Sequence, residues 1–142
     1  MGKTCSSIVV TLLALLAAGR VAFGTEVNTA VEAERAGDAC LERRDYSSAI
    51  ENFTKAIRLD PKNARAYCGS GTAYEHKGDH DSAIADYTEA IRLDPKLASA
   101  HYGRGTAYAH KGDYDKAIAD FAEAVRLAEE CRSVFQPGQC LR

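Results

Sequence analysis

The 142-residue sequence predicts an all-α fold, a solenoid of three stacked helix–turn–helix units with about six helices. Residues 64–97 and 98–131 are identical at 20 positions when they are aligned at a 34-residue offset without a gap. A third copy, residues 30–63, matches the middle copy at 15 positions. A fixed period of this length is typical of helical hairpins that bury their apolar faces only against neighbouring copies.

Each copy contains two helical segments separated by a turn. In the middle copy, small and apolar residues recur at three- and four-residue spacing, which indicates helix faces. Gly78 favours the left-handed conformation that ends the first helix, and Asp79 and Asp81 are candidate N-caps for the second. Asp94 and Pro95 end the second helix, because proline disfavours helix in the residue before it. The residues that form these faces are, on the first helix, Ala66, Tyr67, Ser70, Gly71, Ala73 and Tyr74, and on the second helix, Ala83, Ile84, Tyr87, Ala90 and Ile91.

These spaced residues resemble the tetratricopeptide repeat (TPR), over about residues 30–129. The family pattern has an aromatic residue, a glycine, a tyrosine, two alanines that flank another aromatic residue, and a final proline. It falls on Tyr67, Gly71, Tyr74, Ala83, Tyr87, Ala90 and Pro95 in the middle copy, on Gly105, Tyr108, Ala117, Phe121 and Ala124 in the last, and on Gly37, Ala49, Phe53, Ala56 and Pro61 in the first. The resemblance implies a right-handed superhelix that holds a partner on its concave face.

The first copy departs from the pattern. Ala33 stands at the aromatic site, Cys40 replaces the tyrosine and Arg44 replaces the helix-ending glycine. We therefore expect a thinner, more polar first helix that caps the outer end of the array.

The last copy departs at its end, where Ala128 and Glu129 replace the Asp-Pro stop signal. The last helix is therefore expected to run to about Arg132. We expect the exposed side of this copy to be covered by the tail, through Val134 and Phe135, or by a second molecule.

The N-terminal residues differ in character from the repeats. Lys3 precedes an apolar run over residues 8–18, and small residues follow at 22–24. This pattern predicts a secretory signal peptide, residues 1–24, that is cleaved after Gly24. The expected layout is therefore a signal peptide, a TPR domain over residues 25–132 and a C-terminal tail over 133–142. The mature protein is expected to be secreted or periplasmic, without stable membrane insertion.

Length and net charge limit the number of domains and the kinds of partner that the protein can bind. The length allows one small domain, and the formal net charge of −2 excludes a strongly basic nucleic-acid binder.

Four cysteines follow the predicted signal peptide, in a compartment that would favour disulfides. Cys131 and Cys140 flank a Pro-Gly turn, so a disulfide between them could fold the tail back over the last helix. Cys40 and Cys68 are expected on neighbouring helices but out of register, about 13 Å apart and beyond disulfide reach.

No cofactor or metal is predicted. His76 and His110 occupy the same position in successive copies, and we interpret them as solvated residues rather than metal ligands. The G-x-G sequences at residues 69–71 and 103–105 lie inside predicted helices, where they indicate close helix packing rather than a dinucleotide site. The loops are too short to carry a catalytic set, so the chain is not expected to be an enzyme.

The TPR resemblance places the binding surface on the first helix of each pair. The side chains expected to face this groove are Glu34, Asp38, Arg65, Cys68, Thr72, Tyr102 and Thr106. Some TPR domains hold a terminal carboxylate on this face with lysine, arginine and asparagine, whereas the sites that correspond in this chain are acidic, hydroxyl or aromatic. We therefore predict no carboxylate clamp and expect a polar or mildly basic segment, with Tyr102 as an anchor; the alternative is that these residues are merely solvent-facing.

The sequence thus predicts a non-catalytic scaffold that binds a protein or peptide partner. A second hypothesis is structural self-assembly, in which copies stack end to end as homo-oligomers. A third, enzymatic or metal-storing, rests on His76, His110 and Cys68 and is the weakest of the three.

Overall fold

The computed structural model describes residues 29–134, which form six α-helices and no strand. This confirms the predicted all-α fold of three helix–turn–helix units. The helices are α1 (residues 29–42), α2 (Tyr46–Leu59), α3 (Ala64–His76), α4 (His80–Leu93), α5 (Ala98–His110) and α6 (Tyr114–Val134). From α2 onward each helix packs against the next along the chain, and α3 also contacts α5.

The turns within the repeats follow the predicted chemistry. Gly78 and Gly112 adopt φ values of 81°, in the left-handed region that glycine tolerates best. Arg44, at the same repeat position, is also left-handed with φ of 60°, a conformation that is strained for a residue with a side chain. Asp45 and Asp79 then cap α2 and α4 by accepting hydrogen bonds from backbone amides in the first turn, as predicted for Asp79.

The core between repeats is built from one aromatic ring pressed against glycines. Phe53 of α2 is fully buried between Gly37 and Gly69. A Cβ atom on Gly69 would lie 2.4 Å from the Phe53 ring, so only glycine permits this approach. Tyr87 of α4 repeats the arrangement with Gly103, where the same distance would be 2.4 Å. The predicted packing role of these glycines is confirmed.

The last helix continues past its repeat, as predicted. Helix α6 runs through Val134, the last described residue, so the first two residues of the predicted tail are helical. Val134 is 71% exposed and does not cover the third repeat. The helix continues because Ala128 and Glu129 carry no stop signal, as the sequence indicated. The predicted signal peptide, Phe135 and Cys140 lie outside the described residues.

No helix in the described part of the chain is both long and apolar enough to cross a membrane.

Candidate functional site

A groove lies where α1, α3 and the start of α5 meet. Its cavity has a volume of about 260 Å³. It brings together five of the seven predicted groove residues, on two successive first helices of the repeats. The lining residues are Glu34, Asp38, Leu41, Arg65, Cys68, Gly69, Thr72, Leu97 and Ser99.

Glu34 links the first two repeats across the edge of the groove. Its carboxylate accepts a hydrogen bond from Asn63 Nδ2 at 2.6 Å and pairs with Arg65 Nε at 3.2 Å. Asn63 is also the N-cap of α3 and accepts a hydrogen bond from the amide of Ala66. Glu34 therefore positions the start of α3, and the negative charge of Glu34 is already balanced by Arg65.

Asp38 is the unpaired acid of the groove. Burial raises its pKa, and the nearby carboxylates of Glu34 and Glu42 raise it further, while Arg65 acts in the opposite direction. No described residue donates a hydrogen bond to Asp38. Its carboxylate is therefore available to a positively charged or hydrogen-bond-donating ligand.

The floor of the groove is polar, and its thiol is not activated as a nucleophile. The hydroxyl of Thr72 donates to the carbonyl of Cys68 and accepts a hydrogen bond from the hydroxyl of Tyr87. The thiol of Cys68 lies 3.6 Å from the Ser99 hydroxyl, and burial raises the pKa of this thiol. A thiol held neutral is a poor nucleophile. Cys40 and Cys68 are both free, as the predicted separation required.

Tyr102 and Thr106 do not line this cavity. Tyr102 is 62% exposed, and its ring packs against Phe121 of α6 with a centroid distance of 5.4 Å. Thr106 turns its hydroxyl back to donate to the carbonyl of Tyr102 at 3.0 Å. The two residues therefore stand apart from this cavity, and their place on the partner-binding face stays a prediction.

Leu41, Gly69, Leu97 and Ser99 line the groove but were missed by the sequence analysis. Ser99 stands at the same repeat position as Arg65, so the 34-residue period could have identified it. Leu97 is the N-cap of α5 and has no side-chain cap hydrogen bond. No sequence signal indicates that this loop residue faces the groove.

The histidines have separate roles in packing. His76 stacks on Tyr46 at a centroid distance of 4.9 Å, while His110 lies 4.8 Å from His80 and 3.6 Å from a carboxylate oxygen of Glu75. Within residues 29–134, no group of three or more potential ligand side chains could hold a metal ion.

Cys131 is engaged in a disulfide. Cys140 lies outside the described residues, so the pairing of these two cysteines stays a prediction.

The sequence that forms these helical pairs matches the model of a known protein family. A family model described as "Tetratricopeptide repeat" matches residues 34–98 and 78–130, more than half of the chain. The chain belongs to the tetratricopeptide repeat family. TPR domains act as protein-interaction scaffolds, and this chain has that architecture.

Solved TPR structures are similar over most of the described residues. The Arabidopsis OM64 TPR domain has a TM-score of 0.72 at 28% identity, with 76% of this chain and 89% of that chain covered. The second TPR of Spaghetti (RPAP3), bound to the HSP90 peptide SRMEEVD, has a TM-score of 0.70 at 29% identity, covering 73% and 98%. The TPR2B domain of yeast Sti1, in a pHsp70 complex, has a TM-score of 0.72 at 27% identity, covering 74% and 84%.

Proposed function

We propose that this TPR protein is a non-catalytic scaffold that binds an extended segment carrying lysine or arginine in the groove between α1, α3 and α5. The observation that carries the proposal is Asp38, a solvent-accessible carboxylate in the groove that receives no hydrogen bond from the described residues. A cationic side chain placed there would relieve the repulsion among Asp38, Glu34 and Glu42. The neutral Cys68 thiol supports a binding role rather than a reaction.

The same charges distinguish this groove from one that holds an acidic peptide. The similar RPAP3 domain was solved with SRMEEVD, which carries three acidic side chains. Among the described residues that line the groove, Arg65 is the one with a basic side chain, and it is already paired with Glu34. An acidic peptide would therefore meet the unpaired charge of Asp38 without a free cation in the groove to offset it.

A pair of peptides tests this proposal. SRMEEVD and its charge-reversed counterpart SRMKKVK, with an amidated C terminus, are titrated against the full-length chain by fluorescence anisotropy. We expect binding of the lysine peptide only, and Asp38→Asn to weaken it about two- to fivefold, as expected for a partly screened ion pair. Glu32→Gln removes the same charge from an exposed position on α1 and serves as the control.

Two results would contradict the proposal. One is tighter binding of SRMEEVD than of the lysine peptide. The other is an equal loss of affinity in the Asp38 and Glu32 variants, because that would indicate a general charge effect rather than a contact in the groove.

We further propose that the scaffold acts after export, on the basis of the signal-peptide pattern in residues 1–24. Mass spectrometry of the protein recovered from an exporting host is expected to show a chain that begins at Thr25. A chain retaining Lys3 in that fraction would contradict cleavage.

A further inference from the structure

The outer side of α6 carries an apolar stripe that no other described helix covers. Tyr114, Ile118, Ala122 and Val125 follow one another at three- and four-residue spacing, which places them on one face of the helix. Tyr114 is 67% exposed, Ile118 66% and Val125 57%, and Ala122 is also exposed. We call these four residues the α6 stripe.

The repeat shows what normally covers these positions. Ile50 and Ile57 of α2, and Ile84 and Ile91 of α4, stand in register with Ile118 and Val125 but are partly buried against the core. The residues in register with Tyr114 are also covered: Tyr46 by the ring of His76, and His80 by that of His110. In the first two repeats, the next helix along the chain provides this cover. The α6 stripe therefore continues a series of helix–helix interfaces in which a partner is missing.

Charge at the same interfaces indicates what the missing helix carries. Lys77, after the last turn of α3, donates to the hydroxyl of Ser47 at the start of α2. Lys111, after α5, donates to Asp81 at the start of α4. Asp115 is the next position in this series and has no ion-pair partner among residues 29–134. The missing helix is thus antiparallel to α6 and has a base near its C-terminal end.

Helix α1 of a second copy does not fit the place of the missing helix beside α6. The two fully buried aromatic rings are each covered by a glycine of the next helix, Gly69 over Phe53 and Gly103 over Tyr87. The residue of α1 at that position is Arg35, and an exposed Glu32 stands where Ala66 and Ala100 are fully buried. A side chain as large as arginine cannot approach the corresponding ring of α6 as closely as glycine does. We therefore expect end-to-end stacking in the repeat register to be unfavourable.

We propose that the α6 stripe binds α6 of a second copy of this chain in an antiparallel, two-fold symmetric dimer. An axis near Ala122 sets Ile118 of each copy against Val125 of the other, with a small side chain at the crossing point. It also sets Asp115 near the N-terminal end of one α6 opposite Ala128 of the other, one turn from Arg132, whose long side chain reaches back towards Asp115 as Lys111 reaches Asp81 within one chain. A two-fold contact of this kind uses the same surface twice, so assembly closes at two copies instead of extending into a fibre.

Sedimentation velocity of the full-length chain over a range of concentrations tests the proposal. We expect a dimer of the 15.3-kDa chain that dissociates on dilution. Ile118→Glu is expected to raise the dimer dissociation constant by about a hundredfold, a factor of ten for each of the two symmetry-related contacts. Because Ile118 is largely exposed in the single chain, we expect the variant to fold, which circular dichroism checks. Val31→Glu places the same charge at an exposed apolar residue of α1 and is the matched control.

A charge exchange distinguishes the two-fold dimer from other modes. Asp115→Arg and Arg132→Asp are each expected to weaken the dimer, and the double variant to restore it. Growth beyond two copies, or a dimer that survives Ile118→Glu, overturns the proposal. A monomer at all concentrations also overturns it; if Phe135→Ser then lowers the thermal stability of that monomer, the stripe belongs to residues 135–142 of the same chain.

Discussion

The two junctions between repeats share a design but differ in polarity. At the first junction, Phe53 fills the space against Gly69 and offers no polar atom. At the second junction Tyr87 occupies the equivalent space, and its hydroxyl donates to Thr72 at 3.1 Å and lies 3.4 Å from Glu75. Burial raises the pKa of Tyr87 and the nearby Glu75 carboxylate raises it further, while the hydrogen bond to Thr72 acts in the opposite direction; the net rise keeps the hydroxyl protonated and able to donate. The first junction thus depends on shape alone, and the second depends on shape and a buried hydrogen bond.

The second junction is also adjacent to a buried ion pair. Arg104 donates through Nε and an Nη atom to the two carboxylate oxygens of Asp120, both at 2.8 Å, and also reaches the hydroxyl of Thr88. Asp120 is almost fully buried, so this pair fixes α5 against α6 in one arrangement. No equivalent pair can form in the first two repeats, because Ser70 and Ala36 stand where the third has Arg104.

The largest predicted effect is on stability, and it distinguishes the two fully buried aromatic rings from the partly exposed one. Phe53→Ala and Tyr87→Ala are each expected to lower the free energy of unfolding by about 3–5 kcal/mol, because both rings are fully buried. Phe121→Ala is expected to cost about half as much, since its ring is partly exposed beneath Tyr102. Urea unfolding of the three variants measures the difference, and equal costs would show that the third ring is covered as well as the other two.

The next effect concerns the glycines that face these rings. Gly69→Ala and Gly103→Ala are each expected to destabilise the fold by about 2 kcal/mol, because the added methyl group overlaps an aromatic ring. Gly78→Ala, in open space but with φ of 81°, isolates the backbone cost and is expected to lose about 1 kcal/mol. Thermal unfolding compares the variants. A smaller loss at Gly103 than at Gly78 would mean that Tyr87 can move aside.

A smaller effect tests the polar difference directly. Tyr87→Phe converts the second junction to the chemistry of the first and is expected to cost about 1 kcal/mol, the net value of one hydrogen bond. Thr72→Val removes the acceptor while retaining similar volume. If the hydrogen bond carries the effect, the loss in the double variant will be less than the sum of the two single losses.

The smallest effect is a dependence on pH that belongs to the first repeat. Asp38 and Thr72 share a repeat position, but only Asp38 titrates. Its pKa is raised in the folded protein, so its contribution favours the folded state most below the unfolded value of 3.8 and declines as pH rises through the folded value. Asp38→Asn is expected to remove this slope from a plot of stability against pH. The matched variant Thr72→Val should leave the slope unchanged, and the opposite pattern would contradict the assignment.

The regular parts of this molecule were predictable because each depends on a local or periodic signal. Gly78 and Asp79 mark a turn by their own backbone and hydrogen-bonding chemistry, and the period transfers that boundary to the other repeats. The burial of Phe53 and Tyr87 follows from the same periodicity. The continuation of α6 beyond the end of the repeat was predictable because it depends on a missing stop signal at Ala128 and Glu129.

The groove was less predictable because it depends on contacts between repeats. The pairing of Glu34 with Asn63 and Arg65 joins residues that no single-helix pattern connects. The sequence treated Glu34 and Asp38 as equivalent acids, whereas the structure gives one a fixed partner and leaves the other without one. Tyr102 was placed by its repeat position, but its ring instead packs on the less covered Phe121.

The contacts from α2 to α6 join helices that are adjacent in the chain or, for α3 and α5, one helix apart. Folding therefore closes only short loops, and the associated entropy cost is small. We expect the protein to fold within about milliseconds, as helical proteins with local contacts do. A chain that emerges gradually, from a ribosome or from an export channel, could complete each hairpin before the following one is available.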